Sequence, residues 1–337
     1  MADYDALCLL SFGGPEGPDD VMPFLRNVTA GRNVPDERLA VVAEQYDVFG
    51  GRSPINDQNR ALIDALRIEF DSHGIDLPIY FGNRNWAPYL ADTVRQMGDD
   101  GIRNALVLAT SAFSSYSGCR QYREDLARAA SEAGEGAPTL EKLRLYYNHP
   151  GFIDAVVDRI NEVHRPDARL VFTAHSIPVS MARWCEYEPQ LREMAALVAE
   201  RVGTSAWDLA FQSRSGPPHI PWLEPDINDH LVVLAADAVD DVTLVPLGFV
   251  SDHMEVAFDL DLQAQETAQR VGIDLRRAPT VGTHPAFVSG LRQLVEEKTS
   301  GAEVLWVGDA GPWPDPCPEG HCLAPDGTSG GRPRPSG

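Results

Sequence analysis

Glu255 and Asp259 stand four residues apart, a spacing that sets both carboxylates on one face of a helix, and Gln263 continues the stripe. They follow Pro246-Leu247-Gly248-Phe249-Val250-Ser251-Asp252-His253-Met254, itself preceded by Val242-Thr243-Leu244-Val245, which reads as a buried strand. Side chains just beyond the C-terminal end of a parallel strand point into the crevice where open α/β sheets bind ligands. His175 has an equivalent address, after the run Leu170-Val171-Phe172-Thr173-Ala174 and before Ser176-Ile177-Pro178. An acidic helix face is commonly only solvated, and a single His after a strand is commonly structural. Two such strand ends in one expected sheet, one with imidazole and one with carboxylates, favour chemistry. Imidazole plus carboxylate suits a divalent first-row metal such as Fe2+. The same groups accept protons near neutral pH.

The elements that must hold these groups alternate. Expected strands are 6–11, 78–82, 105–109, 143–146, 170–173, 209–212, 242–245 and 304–307. Expected helices are 54–70, 87–97, 121–133, 151–163, 190–202, 227–239 and 285–297, the first with Ser53 as N-cap and Pro54 at its first position. This alternation predicts an α/β fold of βαβ units, divided into two Rossmann-like domains, each with a four-stranded parallel sheet flanked by helices. The expected divisions are 1–147, 148–310 and a flexible, Pro- and Gly-rich tail 311–337. The loop Gly13-Gly14-Pro15-Glu16-Gly17-Pro18 is no phosphate cradle, because its two prolines lack the N–H donors a phosphate needs. It reads instead as a rigid lip over a pocket.

A formal net charge of −22 argues against nucleic acid and anionic membrane surfaces as partners. No apolar run is long enough for an integral membrane segment, and the N-terminus does not read as a signal peptide. Five cysteines, an odd number at uneven spacings, argue against a disulfide framework. A cytoplasmic monomer is expected.

Six segments carry a resemblance: Leu10-Ser11-Phe12-Gly13-Gly14-Pro15, Phe49-Gly50-Gly51-Arg52-Ser53-Pro54-Ile55, Ala174-His175-Ser176-Ile177-Pro178, Gln212-Ser213-Arg214-Ser215-Gly216, Pro221-Trp222-Leu223-Glu224-Pro225-Asp226 and Pro246 to Glu255. In this order they resemble the motifs of the ferrochelatase family, over roughly residues 5–300, most closely its actinobacterial coproporphyrin III branch. The resemblance implies two Rossmann-like domains facing a cleft, with the last helix (284–299) packed back on the first domain. It implies insertion of Fe2+, as substrate, into coproporphyrin III with release of two protons and no required cofactor. His175 and Glu255 would be the inner catalytic and metal pair, and Asp259 an outer metal residue. Ser53, Tyr122 and Arg52 would contact the porphyrin, with Arg32, Arg120 and Arg123 as further propionate partners. A protoporphyrin IX ferrochelatase, another tetrapyrrole chelatase and a haem carrier remain as alternatives.

The chain departs from that pattern in places. Phe12 stands where several relatives have Tyr, Asn85 where some have a second His, Gln45 where some have Arg, and Gln263 where an acidic residue ends the stripe. Some relatives hold a 2Fe–2S cluster with one internal and three tail cysteines. Here the tail offers only Cys317 and Cys322, and the internal position reads Ala155, so a cluster is not favoured. His321 and Asp315 are the available substitutes.

Overall fold

Every residue of β1 (Ala6–Ser11) is buried, as a continuous apolar run requires when helices cover both faces of a sheet. The computed structural model describes residues 3–31 and 34–326, so Arg32 lies outside the described residues. After β1 come α1 (Pro18–Val28), α2 (Asp36–Asp47), α3 (Ile55–Ser72), β2 (Ile79–Asn83), α4 (Leu90–Asp99), β3 (Asn104–Ala109), α5 (Gln121–Ala133) and β4 (Thr139–Lys142). The second half runs α6 (Pro150–Asn161), β5 (Arg169–His175), α7 (Val179–Ala182), α8 (Tyr187–Val202), β6 (Trp207–Gln212), α9 (Ile227–Ala236) and β7 (Asp241–Val245). It ends with α10 (Met254–Val256), α11 (Gln265–Val271), β8 (Asp274–Arg277) and α12 (Pro285–Thr299).

The strand orders are β2-β1-β3-β4 and β6-β5-β7-β8, all pairs parallel, so the halves repeat one topology. In each, the order reverses beside the first strand, and ligands bind at such switch points beyond the strands' C-terminal ends. The ends of β1 and β5 therefore mark the cleft.

Both four-stranded sheets match the expected class, but in each one outer strand, β4 or β8, lies elsewhere than the apolar runs suggested. The buried stretch 143–146 leaves β4 after one more bond, Leu143 N–H to Val107 O at 2.9 Å, and crosses into the core. The ladder itself uses Thr139–Lys142. The eighth strand is the charged Asp274–Arg277, not 304–307. Short, charged edge strands discourage pairing with other chains, and their lack of an apolar signature hides them in sequence. Helices α1 and α2 also go beyond the expected set; they pack on a small core of their own from Val21, Phe24, Leu25 and Leu39.

The main core is continuous across both halves. Phe152 of α6 and Phe287 of α12 pack at 5.4 Å between ring centroids, with Tyr146 5.9 Å from Phe152. Helix α12 packs on α6 and on α3, and two ion pairs fasten it: Arg292 to Glu69 at 2.8 Å and Arg144 to Glu297 at 2.7 Å. The tail, expected to be mobile, instead folds back as far as Asp326, with Cys322 fully buried and Ala324 nearly so.

Candidate active site

His175 closes β5, and the loop after β7 brings Glu255 to it. That approach depends on Gly248, where a Cβ would fall 2.7 Å from the Ala174 Cβ; its N–H donates to Thr173 O at 3.0 Å. The helix that follows begins as α10 and continues as a π-helix over Ala257–Ala264. A second π-helix, Tyr116–Arg120, runs directly into α5 on the opposite side of the cleft. Such stretches are rare and concentrate at functional sites.

His175 Nδ1–H donates to Ser176 O at 2.5 Å, which fixes the tautomer and leaves Nε2 facing Glu255 Oε2 at 3.6 Å. Tyr187 Oη donates to the His175 carbonyl at 3.0 Å. His253 caps α10 by accepting the Glu255 N–H at 3.2 Å, 4.0 Å from the Glu255 carboxylate and packed on the Phe249 ring. Ser213 donates to Asp259, which lies one turn further out.

These neighbours set the charges. Burial opposes charge on His175, yet the adjacent Glu255 carboxylate outweighs it and carries the imidazole up to about 9. Burial likewise opposes charge on Glu255, and the imidazolium outweighs it, holding the carboxyl at about 2. Glu255 keeps 51% of its side-chain surface open to the cleft, so the pair is ionised and still reachable. Asp259 is pushed up to about 7, mainly by burial, with Ser213 opposing and the Glu255 charge adding to it. Burial lowers His253, which is therefore neutral at neutral pH.

Asp259 has a consequence for stability. Between about pH 4 and 7 the folded chain keeps this proton while the unfolded chain has lost it, so stability falls as pH rises through that window. Asp259→Asn is expected to stabilise the fold by about 2 kcal/mol at pH 8, after allowance for partial solvent access, and by nothing near pH 4. Thermal melts of both proteins across this range check it; an equal gain at both ends would contradict the burial of this carboxyl.

A cavity of 350 Å3 joins this pair to the first half of the chain. Of the expected residues, Ser53 and Tyr122 line it together with His175 and Glu255. Ser53 does not cap α3 as expected: Pro54 takes the N-cap, and the Ser53 hydroxyl sits 3.5 Å from the Ile55 N–H. Arg52 is exposed and paired with Asp57, outside the cavity lining. Arg120 sits against Glu124 and the His321 carbonyl, and Arg123 lines a separate cavity. Asn85 is buried and donates to Phe12 O, while Gln263 is exposed.

Three lining residues escaped the sequence reading. Arg84 is the only guanidinium among the described lining residues; it pairs with Asp125 at 2.5 Å, both side chains 1% exposed, and lies 4.4 Å over the Tyr122 ring. Tyr46 of α2 is close enough to Glu255 for that charge to raise its hydroxyl pKa further, beyond the larger effect of burial. Thr110 adds a further hydroxyl and hydrogen-bonds with Tyr122. Arg84 sits in Gly82-Asn83-Arg84-Asn85-Trp86, where only the strand end before it gave a signal.

The tail cysteines do not meet position 155. Cys317 and Cys322 instead join Cys119, the three sulfurs lying within 4.8 Å of one another. Cys185 is engaged with the Met181 and Ala182 carbonyls at the end of α7, at 3.6 and 3.7 Å, and Cys8 is buried within β1. Four cysteinyl ligands are the ordinary requirement of a 2Fe–2S cluster, and three gathered thiols do not meet it.

The family model described as Ferrochelatase matches residues 4–299. A ferrochelatase of Rhodopirellula baltica is 53% identical over 331 residues, which cover 96% of this chain and 94% of that one. A coproporphyrin III ferrochelatase of Frankia alni is 55% identical over 341 residues, covering 95% and 87% respectively. Another, of Streptomyces coelicolor, is 53% identical over 352 residues, covering 95% and 94%. Among solved structures, SirB from Bacillus subtilis with Fe3+ aligns at a TM-score of 0.59 and 13% identity over 90% of this chain and all of that one. The sirohydrochlorin chelatase SirB of Bacillus subtilis subspecies spizizenii, in complex with cobalt, aligns at 0.55 and 12% over 89% and 97%. These structures share the fold.

Proposed function

The chain belongs to the ferrochelatase family, and from that premise we propose that it inserts Fe2+ into coproporphyrin III, releasing two protons. One observation carries the reading: His175 Nε2 and Glu255 Oε2 stand 3.6 Å apart in a cavity whose far wall bears Ser53, Thr110, Ser117 and Tyr122. The pair meets the metal and the pyrrole nitrogens; the hydroxyls receive the acid side chains of the macrocycle.

Insertion needs a metal ligand and acceptors for two pyrrole protons. In the free protein at neutral pH, His175 already holds a proton and Glu255 has given one up. Arrival of the dication displaces the His175 proton to solvent in the open cleft and frees Nε2 as a ligand, with Glu255 as its anionic partner. The groups then able to take a proton are neutral His253, beside Glu255, and Asp259, at its midpoint near pH 7. Asp259 leads outward along the π-helix, so it serves as the outer metal and proton residue.

The substrate assignment rests on the wall opposite. Arg84 is neutralised by Asp125, so the described lining residues offer hydroxyls rather than an unpaired guanidinium. A ring with four propionates and no vinyls uses such a wall more fully than protoporphyrin does. No helix among the described residues is long and apolar enough to cross a membrane. We propose a cytoplasmic monomer that takes its porphyrin from water.

Anaerobic, detergent-free assays with Fe2+, followed by loss of porphyrin fluorescence, test this. kcat/KM is expected to be higher for coproporphyrin III than for protoporphyrin IX; equality or the reverse order defeats the substrate assignment. A spectrum that stays metal-free with both would leave only a carrier. Ser53→Ala and Tyr122→Phe should each weaken coproporphyrin binding by about 1 kcal/mol, roughly fivefold, with kcat largely kept.

A further inference from the structure

Glu255 reaches toward His175 with half of its side-chain surface open to the cleft, so packing around the carboxylate does not fix its position. The backbone that carries it must do so. That backbone, 254–264, is a short α-helix continued as a π-helix, a form that ordinarily lasts one turn and here runs for eight residues. The two outer strands of the second sheet, β6 and β8, hold it from nearly opposite directions. From the end of β6, Gln212 Nε2 donates to Glu255 O at 3.2 Å and Ser213 donates to Asp259. From β8, Arg277 reaches Asp261, two residues further along and so on nearly the opposite helix face.

Arg277 does more than hold one carboxylate. Its Nε and Nη2 donate as a fork to the two oxygens of Asp261, the second at 3.0 Å. Its Nη1 donates to Asp252 at 3.2 Å. Asp252 and Asp261 flank His253, Glu255 and Asp259 in the chain, so one guanidinium ties together both ends of the segment that bears them. Asp252 also meets the other half of the molecule. Its N–H donates to Gln58 Oε1 at 2.8 Å, and Gln58 Nε2 lies 3.5 Å from its carboxylate. Gln58 belongs to α3, five positions after Ser53 of the cavity wall. Strand alternation turns the neighbouring Arg276 the other way. It pairs with Asp274, at 2.9 Å, and with Asp241, the first residues of β8 and β7, at the end of the sheet away from the cleft. None of Arg277, Asp252 and Asp261 is among the described residues that line the cavity.

We propose that Arg277 is a positioning residue for metal insertion: its guanidinium clamps Asp252 and Asp261 together and thereby sets how far Glu255 reaches toward His175. The inference rests on the reading of His175 and Glu255 as the insertion pair. A planar guanidinium suits the task, because its five fixed donors can fork to one carboxylate while reaching a second; an ammonium is a point charge without that geometry. Released from the clamp, the helix is free to slide or rewind. A shift of about 1 Å at the reacting groups can cost a hundredfold in rate. Through Gln58 the same clamp reaches α3, so bonds, rather than the open cleft, set the spacing between the metal pair and the Ser53 wall. Charge at the rim of this sheet then has a second use besides discouraging contact with other chains.

Asp261→Ala is the informative variant, because Asp261 is 41% exposed and its loss threatens the fold least. Its kcat for iron insertion should fall roughly 10–100-fold, while coproporphyrin affinity, read by fluorescence quenching, stays unchanged. Arg277→Lys should fall in the same way. The double variant should fall no further than the worse single one, since both remove one contact. Arg276→Lys is the control and should keep kcat, whatever it costs in stability. Hydrogen exchange of the backbone amides in 254–264, measured without substrate, should be severalfold faster in Asp261→Ala and in Arg277→Lys, with β5 and β7 still protected. That readout needs no turnover. If the unaltered protein inserts no iron, the functional reading fails, and exchange still decides whether Arg277 holds the segment. Unchanged exchange over 254–264, unchanged kcat in Asp261→Ala, additive losses in the double variant, or an equal fall in Arg276→Lys would each overturn the proposal.

Discussion

His175→Ala is expected to lower iron insertion by about a thousandfold or more while changing coproporphyrin affinity little. The range follows from the loss of a positioned proton-transfer group, about 10²–10⁴-fold, together with a metal ligand. Porphyrin affinity survives because the hydroxyl donors come from the other half of the chain. Glu255→Gln should fall nearly as far, since it keeps the shape but removes the anionic partner of the incoming metal; it also removes the charge that raises His175 to about 9. In that variant the His175 pKa should fall to the ordinary imidazole value near 6.5 or below it, because burial is then largely unopposed, and an NMR titration reads this without any turnover. Steady-state rates with quenching of bound porphyrin fluorescence separate the two effects. Near-normal turnover by His175→Ala would remove the centre of the proposed mechanism.

The largest loss of stability is expected from Asp125→Ala, about 3–5 kcal/mol. It would leave the Arg84 guanidinium, 1% exposed, with its charge buried and unpaired. Arg128 loses the same partner, at 2.6 Å, although it is itself one-third exposed and can turn to water. Replacing both members, Arg84→Met with Asp125→Leu, should recover most of the stability, because a packed apolar pair avoids the desolvation cost. Porphyrin affinity should not recover with it, since in the double variant Tyr122 loses the cation over its ring. Denaturant unfolding and porphyrin titration of the three proteins decide this; full recovery of binding in the double variant would show that Arg84 only fills space.

His175 and Glu255 were legible because the apolar run of β5 ends in His175 and that of β7 feeds the loop that carries Glu255, and parallel-sheet geometry says where such ends point. Local pattern carries that kind of information. The Arg84–Asp125 pair was not legible: its members lie in different βα units, and each alone reads as an ordinary surface charge. The convergence of Cys119 with Cys317 and Cys322 was hidden for the same reason. Cys119 sits among small polar residues with nothing to tie it to a tail nearly two hundred positions away. Arg52 was over-read in the other direction, since a nearby Asp57 satisfies it at the surface. The edge strands β4 and β8 were lost because charge at a sheet's rim serves against aggregation and erases the alternation that reveals a strand.

Helix α12 acts on the molecule as a splint. It is fastened to α3 and α6 and shares one aromatic core with both halves, so a hinge that swung the two sheets apart would have to open that core. A 350 Å3 cavity stands near the lower end of the size range of small-ligand sites, and a tetrapyrrole belongs near the upper end. Room for the guest must therefore come from the one part of the wall with a separate, small core, the α1–α2 pair. Elements with few buried apolar contacts open locally at little free-energy cost, whereas those in the main core open only with the whole fold. The enzyme would breathe at its lip over a fixed floor, so that His175 and Glu255 keep their spacing while the porphyrin comes and goes.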